Sequence, residues 1–269
     1  MGNQAEVVQR PEAWRDESAP VVSRIAFVSG GMGGIGTAIC RRLGRGGHTV
    51  VAGCLPGYEK KAEWLDGMRA EGYRVHAAEG DVARFESCAE MFYNIASVVG
   101  PVDILVNNAG IIRRKAAAQH PDEDWDAVLE VNLSNAFRLC RAMGRQLIDR
   151  KAPGKIINVG SLLSFQGGIT VPGYAAAKGG LVQLTKALAN EWAALGINVN
   201  AIAPGYMTTD NTTALREDPQ RHKQITERIP AGRWGSPEDI GGAAVFLASG
   251  ASDYVHGPVL VVDGGWMGR

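Results

Sequence analysis

From Arg24 onward, short β-branched runs alternate with longer helical stretches, and that alternation constrains the fold more than any other feature. The runs are RIAFVS (24–29), HTVVAG (48–53), YRVHAA (73–78), DILVNN (103–108), KIINVG (155–160), INVNAI (197–202) and PVLVVD (258–263). Nearly continuous apolar runs of this kind are what strands buried on both faces require. Separated by helical stretches of roughly ten to twenty residues, they imply right-handed βαβ units. The expected fold is α/β: a single Rossmann-type, doubly wound parallel sheet of about seven strands with helices on both faces. Residues 21–269 read as one domain. Residues 206–235 form a long polar insertion after a strand, which suits a mobile substrate lid better than scaffold.

Composition narrows the class of partner. Lysine plus arginine and aspartate plus glutamate number 28 each, so no net field draws the chain to nucleic acid or to an anionic membrane. No apolar run reaches the ~18 residues of a membrane span. The polar opening, residues 1–20, lacks the apolar core of a signal peptide and reads as a disordered tail, so a cytoplasmic protein is expected. Cys40, Cys54, Cys88 and Cys140 have no metal-ligand spacing and are expected as free thiols; the histidines show no pairing either, and no metal is expected.

The first strand runs into Ser29-Gly30-Gly31-Met32-Gly33-Gly34-Ile35-Gly36, with a helix starting behind it. Gly30, Gly34 and Gly36 give the spacing GxxxGxG. Glycine allows a tight turn and close approach of backbone amides to a pyrophosphate, and the helix N-terminus adds partial positive charge. The turn therefore implies a dinucleotide, with Met32 and Ile35 inside the cradle. Asp81-Val82 follows the third strand, where a side chain could meet the adenine edge, or simply cap a turn. Asn107-Asn108-Ala109-Gly110 ends the fourth strand with residues small enough to pack over a ribose.

The end of the second strand bears on the adenosine 2′ position. An NAD site usually places a carboxylate there, but this chain has Gly53-Cys54-Leu55-Pro56-Gly57 with Lys60 and Lys61 beyond. With no acid there and two cations nearby, NADP(H) is favoured over NAD(H); the alternative is that both lysines are solvated helix charges.

Tyr174-Ala175-Ala176-Ala177-Lys178 sets a phenol and an ammonium one helical turn apart on one face. A cation beside a phenol lowers its pKa and suits it to general acid–base work on a substrate oxygen. Ser161 follows the fifth strand and could bond the same oxygen. Asn132 lies in an otherwise apolar helical stretch, either as a structural bond-maker or as part of a proton route.

Taken together, Gly30/Gly34/Gly36, Asn107–Gly110, Asn132, Ser161, Tyr174, Lys178 and Pro204-Gly205 resemble the short-chain dehydrogenase/reductase family from about Arg24 to the C-terminus. The resemblance implies an NAD(P)(H)-dependent oxidoreductase that moves hydride to or from a carbonyl or hydroxyl carbon. It implies Tyr174 as acid/base, Lys178 lowering the phenol's pKa and holding the nicotinamide ribose, Ser161 positioning the carbonyl, and Asn132 anchoring a water. Pro204, Gly205 and Thr209 match the segment packed on the nicotinamide, and family members are commonly homotetramers. Ser29 stands where the family usually has threonine, and Gly160 where a second serine is common.

Within the family the resemblance divides. The first half, RIAFVSGGMGGIGTAIC through AEGDV, is similar to acetoacetyl-CoA reductases. The second half, including NNAGIIRR, SLLSFQGGITVPGY, RIPAGRWG and the ending VDGGW, is similar to 2-dehydro-3-deoxy-D-gluconate 5-dehydrogenases, also described as 2-deoxy-D-gluconate 3-dehydrogenases. The second half encloses substrate in such a fold, so a keto sugar acid is favoured, with acetoacetyl-CoA as the alternative. Arg113, Arg114 or Arg216 could meet a carboxylate, or each could be a solvated surface charge. The alternative of another class is a nucleotide-binding regulator without turnover.

Overall fold

In the computed structural model, which describes residues 23–81 and 84–268, seven parallel strands form one sheet. The expected tail at 1–20 and the site candidate Val82 lie outside the described residues. The strands are β1 (Ile25–Val28), β2 (Thr49–Cys54), β3 (Val75–Glu79), β4 (Ile104–Asn107), β5 (Gly154–Val159), β6 (Ile197–Pro204) and β7 (Val259–Val262). Each coincides with one of the seven runs to within two residues. Their spatial order is β3-β2-β1-β4-β5-β6-β7.

The helices are α1 (Gly34–Arg45), α2 (Lys61–Ala70), α3 (Phe85–Val98), α4 (Asp122–Leu129), α5 (Asn135–Asp149), α6 (Pro172–Trp192), α7 (Thr213–Glu217), α8 (Pro219–Arg228) and α9 (Pro237–Ala248). None of the described residues forms a helix long and apolar enough to cross a membrane.

The two-residue period of a strand sorts side chains between two cores. Val28 of β1, Val106 of β4 and Ile157 of β5 pack on one face with Ile39 and Leu43 of α1 and Ile240 and Leu247 of α9. Their immediate neighbours Phe27, Leu105 and Ile156 point the other way, onto Phe92 of α3, Met143 of α5 and Leu188 of α6. Strands β4, β5 and β6 are buried along their whole length, as a sheet covered on both sides demands.

Strand β1 pairs with β2 on one side and with β4 on the other, so the chain leaves it in opposite directions. This reversal opens a crevice at the carboxyl ends of β1 and β4, where doubly wound sheets bind ligands. A third, smaller apolar cluster sits nearby. Ile225, Ile229 and Trp234 from the 206–235 excursion pack there on Leu162 and Trp266. The excursion is helical rather than irregular. Asp218 caps α8 by accepting from the backbone of Gln220 and Arg221 at 3.0 Å each, with Pro219 in the first turn.

Candidate active site

The glycine turn is built so that side chains cannot enter it. Gly30 has φ +60°, and a Cβ on Gly36 would lie 2.2 Å from the Gly30 carbonyl oxygen. Helix α1 has no side-chain cap, and its first three residues, Gly34, Ile35 and Gly36, line the crevice. Uncapped amides at the positive end of a helix, beside a turn too close for any Cβ, fit a dinucleotide pyrophosphate. Ser29, the departure from threonine, keeps the needed oxygen. Its Oγ accepts from the backbone of Asn108 at 3.0 Å and Ala109 at 3.1 Å, tying the ends of β1 and β4 together.

Opposite the turn, Ser161 lies two residues past the end of β5, and its Oγ accepts from Leu163 N at 3.2 Å in a short helical turn. Gly160 is accounted for by the same turn: a Cβ there would meet Ser164 Oγ at 3.1 Å, and that hydroxyl donates to the Lys178 carbonyl at 2.9 Å. Tyr174 and Lys178 lie one turn apart near the start of α6, as their spacing requires. Lys178 is buried, its Nζ donating to the Val159 carbonyl at 2.7 Å.

The electrostatics correct one expectation. Burial pushes the Tyr174 phenol above its ordinary range, opposed by its bond with Ser161 and by the field of Arg114. The expected lowering by Lys178 is not found: Ser161 and Arg114, not the ammonium, are the groups that oppose the rise. Burial acts on Lys178 too, bringing its ammonium down to about 8.

Asn132 is buried in a π-helical turn between α4 and α5. Its Nδ2 donates to the Ile111 and Val128 carbonyls at 2.9 Å each, and its Oδ1 accepts from Ile111 N at 3.2 Å. It thus stitches the helix to the segment that follows Gly110. A Cβ on Gly110 would lie 2.5 Å from Asn132 Oδ1, so glycine is required there.

One cavity of about 980 Å³ gathers most of the sequence candidates. Gly30, Gly34, Ile35, Gly36, Asn108, Ala109, Gly110, Ser161, Tyr174, Lys178, Pro204, Gly205 and Thr209 all line it. Asn132 sits behind the wall. Met32 does not reach the cavity: its side chain is buried in the core under α1. Asp81 is not a wall residue either; it follows the outermost strand, β3.

The three arginine candidates separate. Arg114 lines the cavity and donates to the Asn211 carbonyl at 2.9 Å. Arg113 pairs with Asp124 at 3.3 Å, and Arg216 bonds the Thr209 carbonyl at 3.2 Å. Arg228 and Trp266, which the sequence did not single out, also line the cavity, the guanidinium stacked 4.0 Å over the indole. The expectation that no acid stands near the end of β2 is also corrected. Glu79 of β3, in register with Cys54, ion-pairs with Lys61.

A family model described as enoyl-(acyl carrier protein) reductase matches residues 30–267, spanning both the glycine turn and the Tyr174–Lys178 pair. The chain belongs to the short-chain dehydrogenase/reductase family. As a member, it is an oxidoreductase acting on a CH–OH group with a nicotinamide dinucleotide. The chain is 46% identical over 253 residues to a 2-dehydro-3-deoxy-D-gluconate 5-dehydrogenase of Pseudoalteromonas atlantica, covering 94% of this chain and 99% of the relative. It is 40% identical over 245 residues to an acetoacetyl-CoA reductase of Cupriavidus necator, covering 91% and 98%. Among solved structures, it is similar to an Agrobacterium tumefaciens protein provisionally named 2-deoxy-D-gluconate 3-dehydrogenase and crystallised with NADP. That similarity has a TM-score of 0.85 and 51% identity, covering 91% of this chain and 97% of the other. Both halves of the sequence resemblance thus have full-length counterparts in this short-chain dehydrogenase/reductase.

Proposed function

We propose that this enzyme interconverts a hydroxy and a keto sugar acid of the 2-dehydro-3-deoxy-gluconate type, using NADP(H) in preference to NAD(H). The observation that carries the proposal is the shared cavity: Tyr174, Ser161 and Lys178 on one wall, the glycine turn on the other, and Arg114 within electrostatic reach of the phenol. The name of the Pseudoalteromonas relative and the NADP in the Agrobacterium structure support the same substrate and cofactor.

When bound, the nicotinamide supplies or accepts the hydride. The chain's residues handle the proton. Tyr174, protonated at neutral pH, gives its proton to the carbonyl oxygen during reduction and takes one from the alcohol during oxidation. Ser161 holds that oxygen beside the phenol. Lys178 is buried and fixed on the Val159 carbonyl, placed in the same cavity to bond the nicotinamide ribose. Asn132 keeps the segment after β4 in place. Gly30, Gly34, Ile35 and Gly36 hold the pyrophosphate, Met32 contributing through its backbone; Asn108, Ala109 and Gly110 pack on the ribose, and Pro204, Gly205 and Thr209 on the nicotinamide. Asp81 and Val82 remain the candidates for the adenine edge. The 206–235 excursion serves as the lid, with Arg114 facing the substrate carboxylate beneath it. Apolar Phe246, Leu260 and Val261, exposed on α9 and β7, support assembly as a homotetramer.

Purified protein tested with NADPH or NADH against keto sugar acids and acetoacetyl-CoA decides the matter. The proposal expects loss of reduced-dinucleotide absorbance with the sugar acids. Loss with acetoacetyl-CoA alone would overturn the substrate. Tight dinucleotide binding without turnover of either class would point instead to a nucleotide-binding regulator.

A further inference from the structure

We infer that Lys61 and Glu79 together read the 2′ position of the adenosine ribose, Lys61 as counter-charge to a 2′-phosphate and Glu79 as the carboxylate that competes for it. The inference rests on the dinucleotide reading of the glycine turn and deepens it by naming the residues that set its cofactor preference.

The turn lies directly against the end of β2. Gly31 N donates to the Gly53 carbonyl at 3.0 Å, and a Cβ on Gly31 would lie 2.8 Å from the Ala52 Cβ. A dinucleotide seated on that turn extends its adenosine toward Cys54 and the loop that follows. That loop contributes no carboxylate through Gly57. Instead β3 supplies one: Glu79 is in register with Cys54, its Oε2 accepts from Gly57 N at 3.2 Å, and its Oε1 takes the Lys61 ammonium. Both charges act on the Cys54 thiol, Glu79 raising its pKa and Lys61 lowering it, which places the pair at the end of β2.

Exchange of partner is feasible because the pair is accessible. Both side chains are more than a third exposed, and an exposed ion pair is a weak interaction. A 2′-phosphate brings close to two negative charges and three strong acceptor oxygens, enough to draw Lys61 away from a single carboxylate. With a 2′-hydroxyl there is no such competitor, and Lys61 stays on Glu79. Glu79 therefore sets how strongly Lys61 favours NADP over NAD: without the carboxylate the ammonium is already committed to the phosphate, and the preference steepens.

The test is equilibrium binding of NADP+ and NAD+ to the full-length protein by calorimetry, with 2′,5′-ADP as a competitor that lacks nicotinamide. The Lys61→Met variant is expected to lose about tenfold in affinity for NADP+ and for 2′,5′-ADP, as removal of one charge-assisted bond implies, and to bind NAD+ as before. Glu79→Gln should bind NADP+ several-fold tighter, with NAD+ unchanged or weaker, while Lys61→Arg retains the wild-type ratio. Lys60→Met, one residue away, should change neither. Equal losses for both dinucleotides in Lys61→Met, or an unchanged ratio in Glu79→Gln, would overturn the inference. If the wild type binds NAD+ tighter yet Lys61→Met still weakens NADP+ alone, the NADP preference proposed above fails and this inference stands. Melting curves that match wild type show that these surface variants fold.

Discussion

Lys178 lies 5.7 Å from the centre of the Tyr174 ring while its Nζ donates to the Val159 carbonyl oxygen at 2.7 Å. The ammonium is thus moored to β5 rather than to the phenol, and both groups are shifted by burial in opposite senses on the pH scale.

That mooring has a consequence for stability. The folded lysine loses its proton near 8 and the unfolded one near 10.5, so between those values the unfolded chain binds more protons. The lysine's contribution to stability therefore rises with pH from about 8 toward 10.5. Tyr174 acts in the opposite sense only above 10, because the unfolded phenol ionises first. Burial also raises the thiols of Cys40, Cys54, Cys88 and Cys140, which lowers stability above about 9 in wild type and variant alike. Urea denaturation from pH 8 to pH 10 should therefore show wild type gaining stability relative to Lys178→Met. A difference between the two that does not change with pH would contradict the burial of a cation there.

The raised Tyr174 value divides the two directions of reaction. Reduction needs the protonated phenol, so its kcat/KM should hold across neutral pH and fall only in alkali. Oxidation needs the ionised phenol and should climb as pH rises. Initial rates in both directions over one buffer series check this; oxidation that weakens with rising pH would exclude Tyr174 as the base.

Two glycines of the site have no room for a methyl. Gly36→Ala places a Cβ 2.2 Å from the Gly30 carbonyl oxygen, and Gly110→Ala places one 2.5 Å from Asn132 Oδ1. Each is expected to lower stability by about 1–3 kcal/mol. Gly36→Ala should also weaken dinucleotide affinity, because the clash lies inside the phosphate turn. Denaturation and binding titrations read the two effects separately.

Far from the cavity, Lys155 at the start of β5 is fully buried and pairs with Asp253 at 2.8 Å and Ser252 Oγ at 3.1 Å. Asp253→Ala should cost about 3 kcal/mol by leaving a buried charge poorly compensated. Lys155→Met, which removes the charge itself, should cost less. Equal losses in denaturant would contradict a charge-driven effect.

How much of this could be read in the chain depends on how local each signal is. The strands were legible because burial on both faces leaves uninterrupted runs such as Ile104–Asn107, and the glycine turn because its geometry forbids a Cβ. Tyr174 and Lys178 were legible because a helix alone fixes their proximity. Glu79 was not: only the β2–β3 register brings it to Lys61 across eighteen positions. Arg228 meets Trp266 only through the packing of the excursion on the C-terminal segment. Met32 was misplaced for a related reason, since the twist of the turn, which spacing does not reveal, sends its side chain into the core. The sign of the Tyr174 shift depends on how deeply the phenol is buried, and no residue pattern encodes that.

The most direct test of the account is Tyr174→Phe, assayed for hydride transfer with a sugar acid and, in parallel, for NADP+ binding. The variant should lose at least about a hundredfold in kcat while its affinity for dinucleotide stays within a few-fold of wild type. A variant that binds dinucleotide and keeps most of its turnover would contradict the assignment of Tyr174 as the group that moves the proton.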